Sequence, residues 1–216
     1  MSLSLLIPVY NEIEQLQFTI NKLKKLKKKI NKLEVIFIDD LSTDGSNEYI
    51  KKNSKKNSYI KVFKNKKKGL GSAIEEGIKN SKSDYICIFM CDMSDDVNDL
   101  IKYYNMIKEN KKDAIFGSRF IKNSKVKNYP FFKLALNRLS NNLIRFLFFS
   151  KYNDFTNAFK IYKRSTLLSF LPIVSESFNV FLELPLKIIT RKYSYSITSI
   201  NWNGRVHGKS KFKIKE

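Results

Sequence analysis

The chain has 216 residues, 43% hydrophobic and 13% aromatic, enough apolar material for one domain with a sizeable core and too much for a disordered chain. Its 41 Lys and Arg against 20 Asp and Glu leave a net charge of +21, a field that draws phosphates, nucleic acids or an anionic membrane face without choosing among them. A single His, His207, and two Cys, Cys87 and Cys91, outside any CxxC pair exclude a Ser-His-Asp triad, a multi-His metal centre and a zinc-ligand pattern, and read as buried thiols in a reducing compartment.

MSLSLLIPVYNE carries no secretory leader, and no apolar run approaches the roughly 20 residues of a membrane helix, so the expectation is a cytoplasmic chain that can still touch a membrane surface. Short apolar runs fit strands at LSLLIPV (3 to 9), EVIFID (34 to 39), YIKVF (59 to 63), YICIFM (85 to 90) and DAIFGS (113 to 118). Helical spacing fills 12 to 29, 44 to 55, 70 to 81 and 97 to 109, the last with Val97, Leu100, Ile101, Tyr104 and Ile107 on one face. This alternation predicts an α/β fold, a mostly parallel sheet with helices on both faces and ligands beyond the carboxyl ends of its strands. The second half is less regular: a helix from Pro130 to about Phe149, the segment NDFTNAFKIYKR (153 to 164), a helix near 179 to 192, a strand-like SYSITSINW (194 to 202) and a basic tail. With no repeat and no Pro/Gly-rich linker, residues 1–216 read as one domain.

Chemistry-bearing residues follow the predicted strands. KGLGSAIEEGI (68 to 78) offers Gly69, Gly71 and Gly77, but Ile74 stands where a dinucleotide fingerprint needs Gly, leaving a tight turn and a closely packed helix start as the simpler reading. In IDDLSTDGSNEYI (38 to 50), Ser42 or Asp44 suits a helix cap, whereas adjacent Asp39 and Asp40 repel unless one binds a nucleobase edge or a ribose hydroxyl. FMCDMSDD (89 to 96) has Met90 where an Asp-x-Asp metal motif has its first carboxylate; Ser94, Asp95 or Asp96 suits a helix cap, and Asp92 suits a divalent cation bridging a diphosphate. In the helix 130 to 149, Lys133, Asn137, Asn141 and Arg145 recur every four residues while Phe132, Leu136, Leu139, Leu143 and Leu147 lie elsewhere, which fits either an ordinary core helix or one lying in a membrane interface. The closing NGRVHGKSKFKIKE (203 to 216) reads either as a basic tail or as a loop closing over phosphates.

In this order IPVYNE, IDDLSTDGS, GLGSAIEEGI, CDMSDD, GSRF, DFTNAFKIYKR, FLELPLK and WNGRVHGKSKF resemble glycosyltransferase family 2, and within it the polyprenyl-phosphate glycosyltransferases of the dolichyl-phosphate mannosyltransferase type. The likeness spans nearly the whole chain. It implies a GT-A fold, a GDP- or UDP-linked sugar donor held by residues 1–120, Mg²⁺ or Mn²⁺, and inverting transfer to a polyprenyl phosphate held by residues 121–216. Carried over by position, Pro8, Tyr10, Glu12, Asp39, Asp40, Cys91, Asp92, Arg205 and Lys211 bind the donor. Asp92, with Ser94, Asp95 and Asp96, holds the metal; Arg119, Lys133 and Arg138 take the acceptor phosphate, and Asp92, Arg119 and Arg138 carry catalysis. The implied setting is peripheral, on the cytoplasmic face of a membrane, with a membrane-anchoring protein as a possible partner and no nucleic acid.

The chemistry agrees with the scarcity of His, because a phosphate acceptor is already anionic and asks for cations rather than a base. A family 2 enzyme acting on a glycan hydroxyl would need a base, for which Asp154 or Glu183 is the candidate. A non-catalytic basic module fits the Lys runs KLKKLKKKI and KNKKKG, but has no use for Glu12, Asp40 and Asp92 at strand ends. Leu41, in place of the Gly usual in a DDGS turn, is expected to alter only that turn, and Met90 is expected only to pack.

Overall fold

The computed structural model describes residues 1–204. Its first half alternates as expected: β1 (Leu3–Val9), α1 (Ile13–Lys29), β2 (Leu33–Asp39), α2 (Ser46–Lys56), β3 (Ile60–Lys64), α3 (Leu70–Asn80), β4 (Tyr85–Ile88), α4 (Val97–Asn110) and β5 (Ala114–Ser118). There follow β6 (Lys125–Lys127), α5 (Phe131–Leu147), β7 (Lys160–Lys163), α6 (Arg164–Leu168), α7 (Val180–Thr190), β8 (Tyr195–Ser199) and β9 (Asn201–Asn203).

Seven strands form one sheet in the order β3-β2-β1-β4-β7-β5-β8. All neighbours run parallel except β7, which is antiparallel to both β4 and β5. The strands β1, β2, β4 and β5 are near-continuous apolar runs because both faces are covered. Along β1 and β2, Leu3, Leu5, Ile7, Val35 and Phe37 enter a core under α1, α2 and α4, while Leu6, Ile36 and Ile38 enter a second core with α3, α6 and α7. Residue period two divides one strand between two layers.

Two strand readings change. SYSITSINW is not one strand: β8 extends the main sheet beside β5, and β9 turns away to pair in parallel with β6. KIYK, inside a segment with no assigned strand, is β7 in the middle of the sheet. Its Lys160 is fully buried, with Nζ donating to the carbonyl oxygens of Phe155, Asn157 and Phe181. A buried ammonium there breaks the apolar pattern that marks a central strand.

The glycine-rich helix start has its simpler explanation. A Cβ on Gly71 would sit 1.7 Å from the Ser175 carbonyl oxygen, and Gly69, at φ +142°, would bring one to 2.9 Å from that of Glu176. The loop before α7 lies directly on this turn, with the Gly71 amide donating to the Glu176 carbonyl at 3.1 Å.

Candidate active site

The carboxyl ends of β1, β2, β4 and β5 and the loops beyond them carry most of the residues singled out above, while Lys133 and Arg138 lie on α5. Pro8 is buried within β1, and Tyr10, Asn11 and Glu12 form the turn after it, Asn11 at φ +52°. That turn is stitched to the one after β2. The amides of Asn11, Glu12 and Ile13 donate to Ser42 Oγ, Ser46 Oγ and Asp44 Oδ2, each at 3.0 Å, and Asn11 Oδ1 accepts from the Thr43 amide at 2.8 Å. Ser42 and Asp44 therefore tie two loops together; Asp44 Oδ1 also accepts from the amide of Ser46, the first residue of α2, at 3.0 Å, while the N-cap position itself falls to Gly45 at φ +89°.

The adjacent Asp39 and Asp40 are separated by their partners. Asp39 Oδ1 accepts from the Ser42 amide at 3.2 Å, while Asp40 Oδ1 accepts from Asn65 Nδ2 at 2.7 Å and from the Gly69 amide at 2.9 Å. Lys68 closes this side, its Nζ donating to the Tyr10 hydroxyl at 3.0 Å and lying 4.5 Å from the centre of that ring. Main-chain amides and a cation around carboxylates and an aromatic face make a polar, pre-formed corner.

After β4, Asp92 Oδ1 accepts from the Ser94 hydroxyl at 2.6 Å and from its amide at 3.1 Å. Asp96 caps α4 through the Asn98 amide at 2.8 Å. Ser94 thus orients Asp92, and Asp96 is engaged with the helix start. Asp95 is buried, and its Oδ1 meets no hydrogen-bond partner among the described residues. Burial first, and then the neighbouring Asp92 charge, push its carboxyl up to about 8. Met90 packs against the second core, as expected, and Cys91 is buried with its carbonyl accepting from Thr19 Oγ1 at 2.8 Å. Strand β9 braces this turn: the Asn203 amide donates to Ser94 O at 2.9 Å and the Asn201 amide to Asp99 Oδ2 at 2.6 Å.

Arg119, directly after β5, is almost wholly buried and clamps Asp154 with two bonds, Nε to Oδ2 at 2.9 Å and Nη2 to Oδ1 at 2.7 Å. Burial works against the guanidinium charge, but the Asp154 carboxylate outweighs it and holds Arg119 protonated above its ordinary range. The rings of Phe120, Tyr129 and Trp202 stand 5.2 to 5.7 Å from the Arg119 guanidinium carbon. Arg138 stacks over Phe120 at 4.4 Å, and its Nη1 is a buried donor with no partner among the described residues. Lys133 is exposed in the first turn of α5 and joins none of these contacts. Arg205, His207, Lys209 and Lys211 lie outside the described residues.

The aromatic enclosure of Arg119 was not foreseen, because Phe120, Tyr129 and Trp202 are far apart in sequence. Nor was the latch on α5, where Asn137 Nδ2 and Asn141 Nδ2 donate to Thr156 Oγ1 at 2.7 and 3.1 Å, and Thr156 accepts in turn from Arg119 Nη2 at 3.2 Å. Their spacing of four residues was the signal in the sequence.

Residues 4–169 match the family model of glycosyl transferase family 2. The chain belongs to that family. It is 30% identical over 138 residues to a dolichol-phosphate mannosyltransferase of Pyrococcus furiosus, covering 64% of this chain and 39% of that protein. A poly-beta-1,6-N-acetyl-D-glucosamine synthase of Staphylococcus aureus strain COL is 33% identical over 116 residues, 54% of this chain and 27% of that protein. The chain thus spans well under half the length of these curated relatives. A mannosyltransferase from Pyrobaculum calidifontis, solved with GDP-Man and Mn²⁺, superposes with a TM-score of 0.65 over 96% of this chain and 58% of its own, at 14% identity. With neighbours of this kind the architecture is the GT-A fold.

For this family 2 chain, the residues fit a hard divalent cation. Asp92 and Asp95, whose Oδ1 meets no partner among the described residues, offer hard oxygen donors, and a cation that keeps several waters needs few protein ligands. Among the described residues no group of three or more His, Cys, Asp or Glu is placed to hold a metal ion, so a cation here would draw on these two side chains alone. The candidate bases for a hydroxyl acceptor are both committed. Asp154 is fully buried against Arg119, and Glu183 accepts from the Val174 and Ser175 amides at 3.1 and 2.7 Å and from Lys187 Nζ at 2.5 Å. Burial opposes the Glu183 charge, but those donors hold its carboxyl below the usual range.

Proposed function

We propose that this glycosyltransferase moves a hexosyl group, with inversion, from a GDP- or UDP-linked donor to a polyprenyl phosphate, working peripherally on the cytoplasmic face of a membrane. The observation that carries the reading is the pairing of an unpartnered, buried Arg138 donor beside Arg119 with the absence of an uncommitted base among Asp154 and Glu183. A hydroxyl acceptor would need its proton taken; a phosphate monoester needs only to be held in line. The relative named for dolichol-phosphate mannose synthesis supports the same acceptor class.

Tyr10, Glu12, Asp39 and Asp40 orient the nucleoside and Asp92 faces the diphosphate; Pro8 and Cys91 shape the floor of the pocket. Arg138, steered by the Phe120 ring, presents Nη1 to the acceptor phosphate, and Arg119 sets the local positive potential while it fixes the loop bearing Asp154. An acceptor phosphate oxygen forms the new bond to the anomeric carbon as the bond from that carbon to the diphosphate oxygen breaks, its electron pair leaving with the nucleotide. Asp92 and Asp95 would hold Mg²⁺ or Mn²⁺, whose charge would offset that of the diphosphate. Ser94 orients Asp92 and Asp96 acts through the helix it caps; Lys133, Arg205 and Lys211 complete the cationic set by analogy with the family.

Calorimetry against GDP- and UDP-sugars with and without Mn²⁺, followed by label transfer to a short polyprenyl phosphate, tests the reading. Metal-assisted donor binding and transfer to the lipid phosphate are expected. Transfer to an oligosaccharide with none to polyprenyl phosphate would overturn it.

A further inference from the structure

Helix α5 is built inside out for a protein surrounded by water. Of its residues only Asn141 is fully buried, and the side facing the protein carries Asn137, Arg138, Asn141 and the half-buried Leu134 and Ile144. The outward side carries Leu136, Leu139, Leu143, Phe146 and Leu147, with Phe131 at its start 85% exposed and Phe149 just beyond its end 93% exposed. Positions 132, 136, 139, 143 and 146 draw one apolar stripe along the whole helix. A soluble monomer rarely leaves so long a continuous apolar strip bare.

We infer that this face of α5 docks in the interfacial layer of an anionic lipid bilayer. Charge selects that occupant. Between Phe120 and Tyr152 the sequence has seven Lys and Arg and no Asp or Glu, and Lys133, Arg145 and Lys151 are exposed beside the stripe. Cations flanking a Phe- and Leu-rich face suit acyl chains below and lipid phosphates around it. A second copy on the same face would set a chain of +21 against another of +21. The protein-facing side of the helix holds Thr156 and, through it, Arg119, while Arg138 of the same helix stacks on Phe120. Docking therefore carries the two arginines to headgroup depth; this last step rests on the acceptor proposed above, whereas docking itself does not.

The full chain is to be floated with vesicles of phosphatidylcholine alone or mixed with phosphatidylglycerol, at low and high salt, beside the L139D/F146D variant and a milder L143S/F149S variant. The expected result is flotation with the mixed vesicles that survives in part at high salt, falls about tenfold or more in L139D/F146D, and falls less in L143S/F149S. Thermal midpoint and nucleotide affinity should stay unchanged, since these side chains are exposed. Three results overturn the proposal: variants that float like the parent, parent binding abolished wholly by salt, or no flotation together with a dimer that L139D/F146D dissolves. Persistent vesicle binding without transfer to polyprenyl phosphate would remove the acceptor reading and leave the docking face standing.

Discussion

Arg119 and Arg138 sit under the same ring and do different work. Arg119 gives two bonds to a fully buried carboxylate, so Asp154→Asn should cost about 3–5 kcal/mol in urea unfolding, the penalty of stranding one member of a buried pair. Arg138 has an idle donor, so Arg138→Ala should change stability by less than about 1 kcal/mol and instead lower kcat/KM for the proposed polyprenyl-phosphate acceptor by about 10²-fold. A loss of stability equal to that of Asp154→Asn would show Arg138 to be a strut. Lys160 offers a pH test. Burial pushes its ammonium down to about 7, while three carbonyl acceptors, one for each N–H of an ammonium, oppose that shift. Unfolded, the lysine takes its proton below about 10.4; folded, only below about 7. Between those values the unfolded chain binds more protons, so this group makes stability rise with pH and withdraws that contribution as pH falls toward 7. Lys160→Met should flatten the slope of unfolding free energy across that window, measured by urea titration at several pH values. An unchanged slope would mean the carbonyls keep the ammonium charged.

At the scale of turns and helices, positive φ and close approach decide what the loops tolerate. Leu41 adopts φ +62° in the turn after β2, a conformation costing a side-chain-bearing residue roughly 1–2 kcal/mol, of which Gly would return about 0.5–1 kcal/mol as lost chain entropy. Leu41→Gly should therefore stabilise slightly, by less than about 1 kcal/mol, without altering nucleotide affinity, as read from a thermal melt and a titration. The parallel strands were legible because burial on both faces writes continuous apolar runs into the sequence. β7 was not, since Lys160 and Lys163 interrupt its four residues and the burial of Lys160 depends on carbonyls from the loop before it and from α7. The case of α5 is different: its periodicity marked an apolar stripe and a polar one, but no period says which stripe turns inward. Thr156, fifteen residues beyond Asn141, decides that, by giving the Asn amides an oxygen to hold. Likewise the capping residues after β2 were visible by type, while their partners on the neighbouring loop were not.

For the molecule as a whole, a division at residue 120 separates motifs, not folding units. The strand β5 ends the first half, yet both its neighbours, β7 and β8, come from the second. The strand β4 likewise has β1 on one side and β7 on the other. A fragment of residues 1–120 would leave β5 with no strand beside it and uncover Ala114, Ile115 and Phe116, all fully buried in the chain. It would also lose Phe159, which stacks on Tyr103 with ring centres 4.6 Å apart, and Asp154, the partner of Arg119. The intact chain should then unfold in one cooperative urea transition, whereas the fragment should keep far-ultraviolet helix signal, lose near-ultraviolet signal and bind a hydrophobic dye. A sharp cooperative transition in the fragment would mean that the nucleotide-facing half folds by itself and that the antiparallel insertion of β7 is added to a finished domain.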